Sequence, residues 1–431
     1  MTASSSTHAT PHLLLPVYAL QHIMAAFNGI IAVPLVVCTG LGLDTSVATY
    51  CVSCALFAAG LATLLQSAGI GPVGARMPCI MGTSFTFVGP ALSVGRAFGL
   101  AEVFVVTAVG SVTEIVYSRF IPFLRRIFPR LVSGIVVSLI GLTLIPVAID
   151  WMAGGRGAPN YGSGENLLLA GIVIVAVLVF HSIRRWQLTT FSIFLGMCVG
   201  YAIAALRGDV SAQGISALAW FSFPEPFRFG FSFHWQSLLP FAVAYLITTI
   251  ETIGDLTAIA EAQDRDISAA ELERGILADG VGSTVGGIFN AGANTTFSQN
   301  VGIVSLTGVT SRHVTILAGI FLIVMGLFPR LSHLIAIMPL PVLGGAGLCM
   351  FGMVAAAGMK QLHRETFTRR SMVIVALSFG VGLGVEMRHE IVEGLPEALK
   401  LLFGSGITAG ALTAIALNAA LPAADADERA Q

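Results

Sequence analysis

The sequence predicts an all-α integral membrane protein with about fourteen membrane elements, each apolar run being close to the roughly 20 residues a span requires. Three observations predict it. Only 10% of the 431 residues are charged and 55% are apolar, whereas soluble domains carry about 25% charged residues. Apolar runs begin near positions 14, 45, 67, 99, 132, 166, 188, 235, 275, 314, 338, 371 and 404. Two of these runs are interrupted by glycine, hydroxyl and amide side chains, near 80–90 and 291–302. Irregular polar backbone survives at membrane depth only where protein buries it or a cavity adjoins it. Counting the interrupted regions as separate crossings by paired half-helices gives about fourteen elements. The 48 glycines and 18 prolines suit close helix packing and broken helices.

The elements group into two halves. Residues 1–12 form an N-terminal tail without lysine or arginine, unlike a secretory signal. Residues 13–206 and 235–422 are the halves, 207–234 connects them, and 423–431 is a C-terminal tail. The first half holds Gly82-Thr83-Ser84-Phe85-Thr86-Phe87 and, 44 residues after Phe85, Pro129-x-x-Val132-x-Gly134. The second holds Thr295-Thr296-Phe297-Ser298 and, 42 residues after Phe297, Pro339-x-x-Val342-x-Gly344. Interrupted segments in corresponding halves point to an inverted-repeat transporter with a binding site near the bilayer midplane.

Basic connections set the orientation. Arg119, Arg125, Arg126 and Arg130 form one cluster, Arg184 and Arg185 a second, and Lys360, Arg364, Arg369 and Arg370 a third. All three are expected in the cytoplasm, with Glu261–Arg274 beside them. Both termini then lie inside, and the loops 150–165 and 207–234 lie outside.

Most acidic residues sit in connections, but Glu251 and Asp255 lie within the apolar helix of the second half. Their i, i+4 spacing puts both on one face. An ionised carboxylate at membrane depth costs at least about 2.5 kcal/mol, so such acids mark functional sites. Both are candidates to take up and release a proton. Asp279 opens the next apolar run, either as a helix cap in solvent or as a partner of the site.

Gln299 and Asn300 are adjacent, so on a helix they point roughly 100° apart. One can face a ligand while the other holds the opposite element. A primary amide offers donors and an acceptor, which matches a base edge where a carbonyl adjoins a ring N–H. Polar glue between helices is the alternative reading. In the first half, the backbone N–H groups of Gly82–Phe87 favour an anionic or carbonyl-bearing ligand, and Phe85 can stack on a flat ring. Gln21-His22 opens the first helix, with His22 expected to anchor Gln21 or a neighbouring segment.

Other chemistries find no support. The net charge of −1 argues against a nucleic-acid partner. Cys51-x-x-Cys54 lacks a second pair to complete a zinc site, and the cysteines read as packing residues. Neither a phosphate-binding loop nor a hydrolase nucleophile motif occurs. An enzyme is therefore not expected.

These residues together resemble the nucleobase–ascorbate transporter family, also called nucleobase:cation symporter type 2. Its signature is Gln, Glu or Pro followed by Asn-x-Gly-x4-Thr and then Lys, Arg or Gly. Here Gln299-Asn300-Val301-Gly302 and Thr307-Gly308 match it in full. Gln21-His22, Gly82–Phe87, Glu251-Thr-Ile-Gly-Asp255 and Leu340-Pro-Val-Leu-Gly-Gly345 stand where further family motifs are expected, so the resemblance runs from about 13 to 422. It implies 14 transmembrane segments as two inverted repeats of seven, core and gate domains, and short strands in segments 3 and 10, with substrate bound between them.

On this resemblance Glu251 accepts from ring N–H groups and Gln299 makes a bidentate amide contact. Phe85 stacks or offers its backbone N–H. Ser298, Ser84, Thr86 and Asn300 join the substrate site, and His22 and Gln21 support it. Asp255 and Asp279 match acids tied to proton coupling. Glutamine at 299 and aspartate at 255 are the xanthine/urate-type choices, and Thr86 leans toward urate. Val301 departs from the second asparagine of many purine members.

The expected function is therefore proton-coupled symport of a purine base, uric acid or xanthine, by a multi-pass homodimer in the cytoplasmic membrane. A uracil or other nucleobase permease is the alternative, and an anion exchanger of the same architecture a further one. Besides membrane lipid and the purine, no partner or cofactor is expected. H⁺ is the coupling ion, with Na⁺ open because carboxylates and unwound carbonyls hold it too.

Overall fold

The computed structural model describes residues 14–421 except 128, 184–188, 190, 211–214, 364 and 366. The two expected tails and Arg184, Arg185 and Arg364 lie outside the described residues, as do the side chains of Arg125 and Arg126. The first half begins with α1 (Leu15–Gly40) and α2 (Thr45–Ala68). The apolar run expected from near 67 is not a helix there. The chain leaves α2 at Gly69 (φ +73°) and turns back so tightly that a Cβ on Gly74 (φ +102°) would stand 2.1 Å from Leu65 O. Strand β1 (Met81–Thr83), a single 3-10 turn (Phe85–Phe87) and the half-helix α3 (Val88–Phe98) follow. Then come α4 (Leu100–Tyr117), α5 (Ile121–Ile127), α6 (Arg130–Met152), α7 (Gly164–Ser182) and α8 (Ser192–Arg207).

The second half runs α9 (Trp235–Ala262), α10 (Ala269–Ile288), β2 (Asn294–Thr296), α11 (Ser298–Thr307), α12 (Arg312–Gly326) and α13 (Pro329–Ala336). It ends with α14 (Leu340–His363), α15 (Arg369–Met387), α16 (Glu397–Phe403) and α17 (Gly406–Ala420). Among the described residues eight helices are long and apolar enough to cross a bilayer, and counting each of the bent pairs α12–α13 (83°) and α16–α17 (90°) as one span brings the number to ten. Adding α8, α10 and the two strand–helix elements among the described residues gives fourteen, compatible with the expected number.

Strands β1 and β2 pair antiparallel, with Met81 opposite Thr296, Gly82 opposite Thr295 and Thr83 opposite Asn294. The two interrupted segments, more than two hundred residues apart in sequence, thus meet backbone to backbone. Ser84 N donates to Ala293 O and Phe297 N to Ile80 O, both at 3.0 Å, which extends the ladder at each end. Thr63 Oγ1 on α2 accepts from Met81 N at 3.0 Å. Buried backbone polar groups of this kind need such partners in a bilayer.

Helix pairs close where side chains are missing. In lipid, association comes from tight packing rather than from a hydrophobic drive, so small residues gather at contacts. Along the antiparallel α6–α14 seam, a Cβ on Gly141 would lie 2.3 Å from Ala355 N, and one on Gly344 2.3 Å from Met152 N. The same logic joins α2 to α12 at Gly60 and α4 to α10 at Gly287. Pro129 and Pro339, the matched prolines of the two halves, stand just before α6 and α14 and accept from Val132 N (3.0 Å) and Val342 N (2.9 Å). Gly141→Ala is expected to lower the thermal unfolding midpoint in detergent, since overpacking costs about 1–3 kcal/mol. Gly352→Ala, on α14 but with open space around it, should leave the midpoint unchanged or slightly raised.

Charged side chains join the ends of neighbouring elements. Arg119 pairs with Glu273 at 2.6 Å, and Arg207 with Glu165 at 3.1 Å. Arg370 Nη2 donates to Asn418 O at 2.6 Å, so α17 ends beside the basic connection before α15.

Candidate functional site

Three elements converge beside the β1–β2 pair: the acidic helix α9, the half-helix α11 and the 3-10 turn after β1. Glu251 is half-buried on α9 and looks into a cleft lined by Ser133, Val136 and Val137 of α6 and by Ile247 and Ile250. Thr86 Oγ1 lies 3.4 and 3.5 Å from its two carboxylate oxygens. Four residues on, buried Asp255 accepts from Ser298 Oγ at 3.0 Å, which ties α9 to the start of α11. Phe85 meets Phe351 of α14 edge-on, with ring centroids 5.6 Å apart.

The signature pair divides as the 100° offset demands. Asn300 is buried, its Nδ2 donating to His22 O at 3.0 Å and lying 3.0 Å from His22 Nδ1. Gln299 and Ser298 are exposed on a half-helix whose other flank is buried. Beside them Gly254 on α9 and Gly302 on α11 have open space where a Cβ would sit. Gln299 therefore fronts an opening, while Asn300 and His22 lock α11 to α1. Gln21, one residue before His22, is half-buried with Oε1 lacking a hydrogen-bond partner. Ser84 is buried, and its side chain accepts from Thr86 N at 3.3 Å, which starts the 3-10 turn.

Packing holds this geometry. Thr83 Oγ1 donates to Ile30 O at 2.9 Å. The Phe297 ring fills the space over Gly29 and Gly82, where added Cβ atoms would stand 2.8 and 2.7 Å from it. Substituting either glycine would push that ring, and with it the first residues of α11.

Asp279 is not a solvent cap. Ser268 caps α10 eleven residues earlier, with Glu271 completing a reciprocal capping box, so Asp279 falls mid-helix and fully buried. Its Oδ2 accepts from Thr252 and Thr295, and its Oδ1 from Gln66 Nε2 (3.3 Å) and Thr296 (3.4 Å). It thus clamps α2, α9 and β2 together. Gln66, Thr252 and Glu114 are polar groups of this region that sequence reasoning missed. A lone glutamine in the apolar run of α2 and an acid deep within that of α4 were the available signals.

The comparisons with known proteins agree on what this architecture is. A family model described as "Permease family" matches residues 15–391. The chain belongs to the nucleobase–ascorbate transporter family. Among relatives of this permease, a putative purine permease of Clostridium perfringens is 47% identical over 94% of this chain and 89% of its own length. The xanthine permease XanP of Escherichia coli is 39% identical over 94% of this chain and 91% of its own. The uric acid transporter UacT of the same species is 38% identical over 93% and 85%. In structure the permease is similar to the transmembrane domain of the cyanobacterial bicarbonate transporter BicA. That likeness has a TM-score of 0.61 at 16% identity, covering 91% of this chain and 97% of that one. It is also similar to SLC26A9, with a TM-score of 0.63 at 13% identity over 93% of this chain and 64% of the other. At those identities the likeness is one of fold.

Proposed function

We propose that this permease is a proton-coupled symporter of a purine base, uric acid or xanthine, in the cytoplasmic membrane. The observation that carries the reading is the exposed Gln299 amide, held at an opening by the Asn300–His22 anchor and flanked by the acidic face of α9. A planar base edge that alternates C=O and N–H groups needs an acceptor and a donor side by side, and one primary amide supplies both. Glu251 supplies a further acceptor for a ring N–H. The xanthine and uric acid named in relatives of this chain carry such edges. The starts of α3 and α11 could attract a small inorganic anion, but the carboxyls of Glu251 and Asp255 stand against those same starts and oppose one.

In the cycle, a proton on Glu251 or Asp255 neutralises the site before the neutral or weakly charged base enters. The loaded site then allows the core elements around β1, β2 and α9 to move against α6 and α14. Residues 13–206 and 235–422 act as the two repeats, both termini face the cytoplasm, and two copies associate.

The test is an uptake-competition panel of urate, xanthine, hypoxanthine, guanine and uracil in reconstituted vesicles across an external pH series. Urate and xanthine should compete best, and an inward proton gradient should raise accumulation. Strongest competition by uracil, or chloride flux untouched by purines, would overturn the reading.

A further inference from the structure

Packed against α9, α4 carries a further carboxyl deep in the protein. Glu114 is fully buried. Thr248 Oγ1 donates to its Oε1 at 2.8 Å, while Oε2 has no hydrogen-bond partner, the neighbouring Thr249 hydroxyl being committed to Tyr245 O at 2.7 Å. Among the described residues no salt bridge includes it. Burying a carboxylate is very costly unless donors or a cation answer both oxygens.

Neighbouring acids show what a fully answered carboxylate looks like. Glu102, also on α4 and equally buried, accepts from His234 N (2.8 Å) on Oε1 and from Ser232 Oγ (3.0 Å) on Oε2. Both oxygens of Asp279 are likewise met by donors. Glu114 departs from this pattern by one oxygen, and the arrangement at Oε2 suits a carboxylic acid that holds a proton there.

Its connection to the site runs along α9. Tyr245, Thr248 and Thr252 share the face toward α4 and α10. Tyr245 Oη donates to Thr107 O at 2.7 Å, Thr248 to Glu114, and Thr252 to Asp279. Glu251 and Asp255, three and seven residues after Thr248, lie on the adjoining stripe of the same helix. The ionisable groups whose charge reaches Glu114 are Asp279 from α10, Glu251 and Tyr245 from α9, and Tyr117 on α4 itself. All are acids. Arg119, just past the end of α4, is engaged by Glu273.

We infer that Glu114 is a proton-exchanging positioning residue for α9. An O–H bond forms on Oε2 when a solvent proton is taken up and breaks when that proton is released. The Thr248 hydrogen bond passes the change to the helix that presents Glu251 and Asp255. The inference rests on the proton-coupled reading above.

Glu114→Gln tests it, because the amide keeps the volume and an acceptor for Thr248 but cannot exchange a proton. In vesicles, the variant should bind labelled xanthine as the native protein does. Its uptake should show a flattened pH profile and accumulate less under a proton gradient by roughly fivefold or more, the lower edge of ordinary coupling between sites. A profile and accumulation that superimpose on the native ones overturn the inference. If native uptake itself ignores the gradient, the coupled reading fails instead. Should Glu114→Gln not fold, infrared difference spectra of the native protein and Thr248→Val decide. A substrate-induced protonated-carboxyl band displaced by Thr248→Val is expected, and a spectrum in which no such band moves overturns the role.

Discussion

Replacing Glu251 with glutamine is expected to abolish gradient-driven uptake of xanthine or urate while leaving substrate exchange across the membrane measurable. The substitution keeps the length and shape of the side chain, so the contact with Thr86 and the fit beside Ser133 and Val136 survive. The change in chemistry is that an amide cannot take up and release a proton. If Glu251 carries the coupling proton, accumulation falls to equilibration with the outside and the rate loses its dependence on external pH. The conserved shape matters for reading the result. A loss of folding would remove exchange as well, whereas a loss of coupling alone would spare it. Native-like pH dependence of accumulation in the variant would remove Glu251 from the coupling role and leave Asp255 or Asp279 to carry it.

The parts of this permease that could be read in advance are those where local sequence violates its surroundings. The carboxylates of α9 stand out because a bilayer penalises them and because they recur at i, i+4. The break at Asn294–Gly302 stands out because a spanning helix would not contain it. The strand pairing followed from the resemblance, while its register, Gly82 opposite Thr295, is set by packing over Phe297 rather than by any pattern along the chain. What stayed hidden is pairwise. The bond from Asn300 to His22 joins residues 278 apart, and neither residue alone says which of two adjacent amides turns inward. Asp279 passed for a candidate cap because its apolar run begins there. The capping box at Ser268 and Glu271 lies upstream, among charged residues that look like a connection. Glu114 met the same test as Glu251, an acid within an apolar run, yet had neither a second acid one turn away nor a nearby break to draw notice.

Gln299→Glu is expected to cost the permease its purine recognition, and by more than the change of one atom implies. The glutamine amide can donate through its N–H to a base carbonyl while accepting from the adjoining ring N–H. Glutamate keeps the acceptor and turns the donor into a second acceptor. A base carbonyl then faces an oxygen, leaving two groups unpaired in a partly dehydrated site at about 2–4 kcal/mol, or roughly 30- to 700-fold in KM. A second effect acts in the same direction. The added carboxyl joins Glu251 and Asp255 around one opening, so proton uptake at the site becomes shared among three acids, and the pH dependence of transport should change with it. A substrate whose edge offers N–H groups on both sides would lose less, so the competition order should shift rather than fall uniformly. Labelled xanthine uptake and the competition panel measure both outcomes. A Gln299→Glu protein that takes up xanthine with native KM would place the base-reading contact elsewhere, and Ser298 and the backbone of Phe85 would be the next positions to examine.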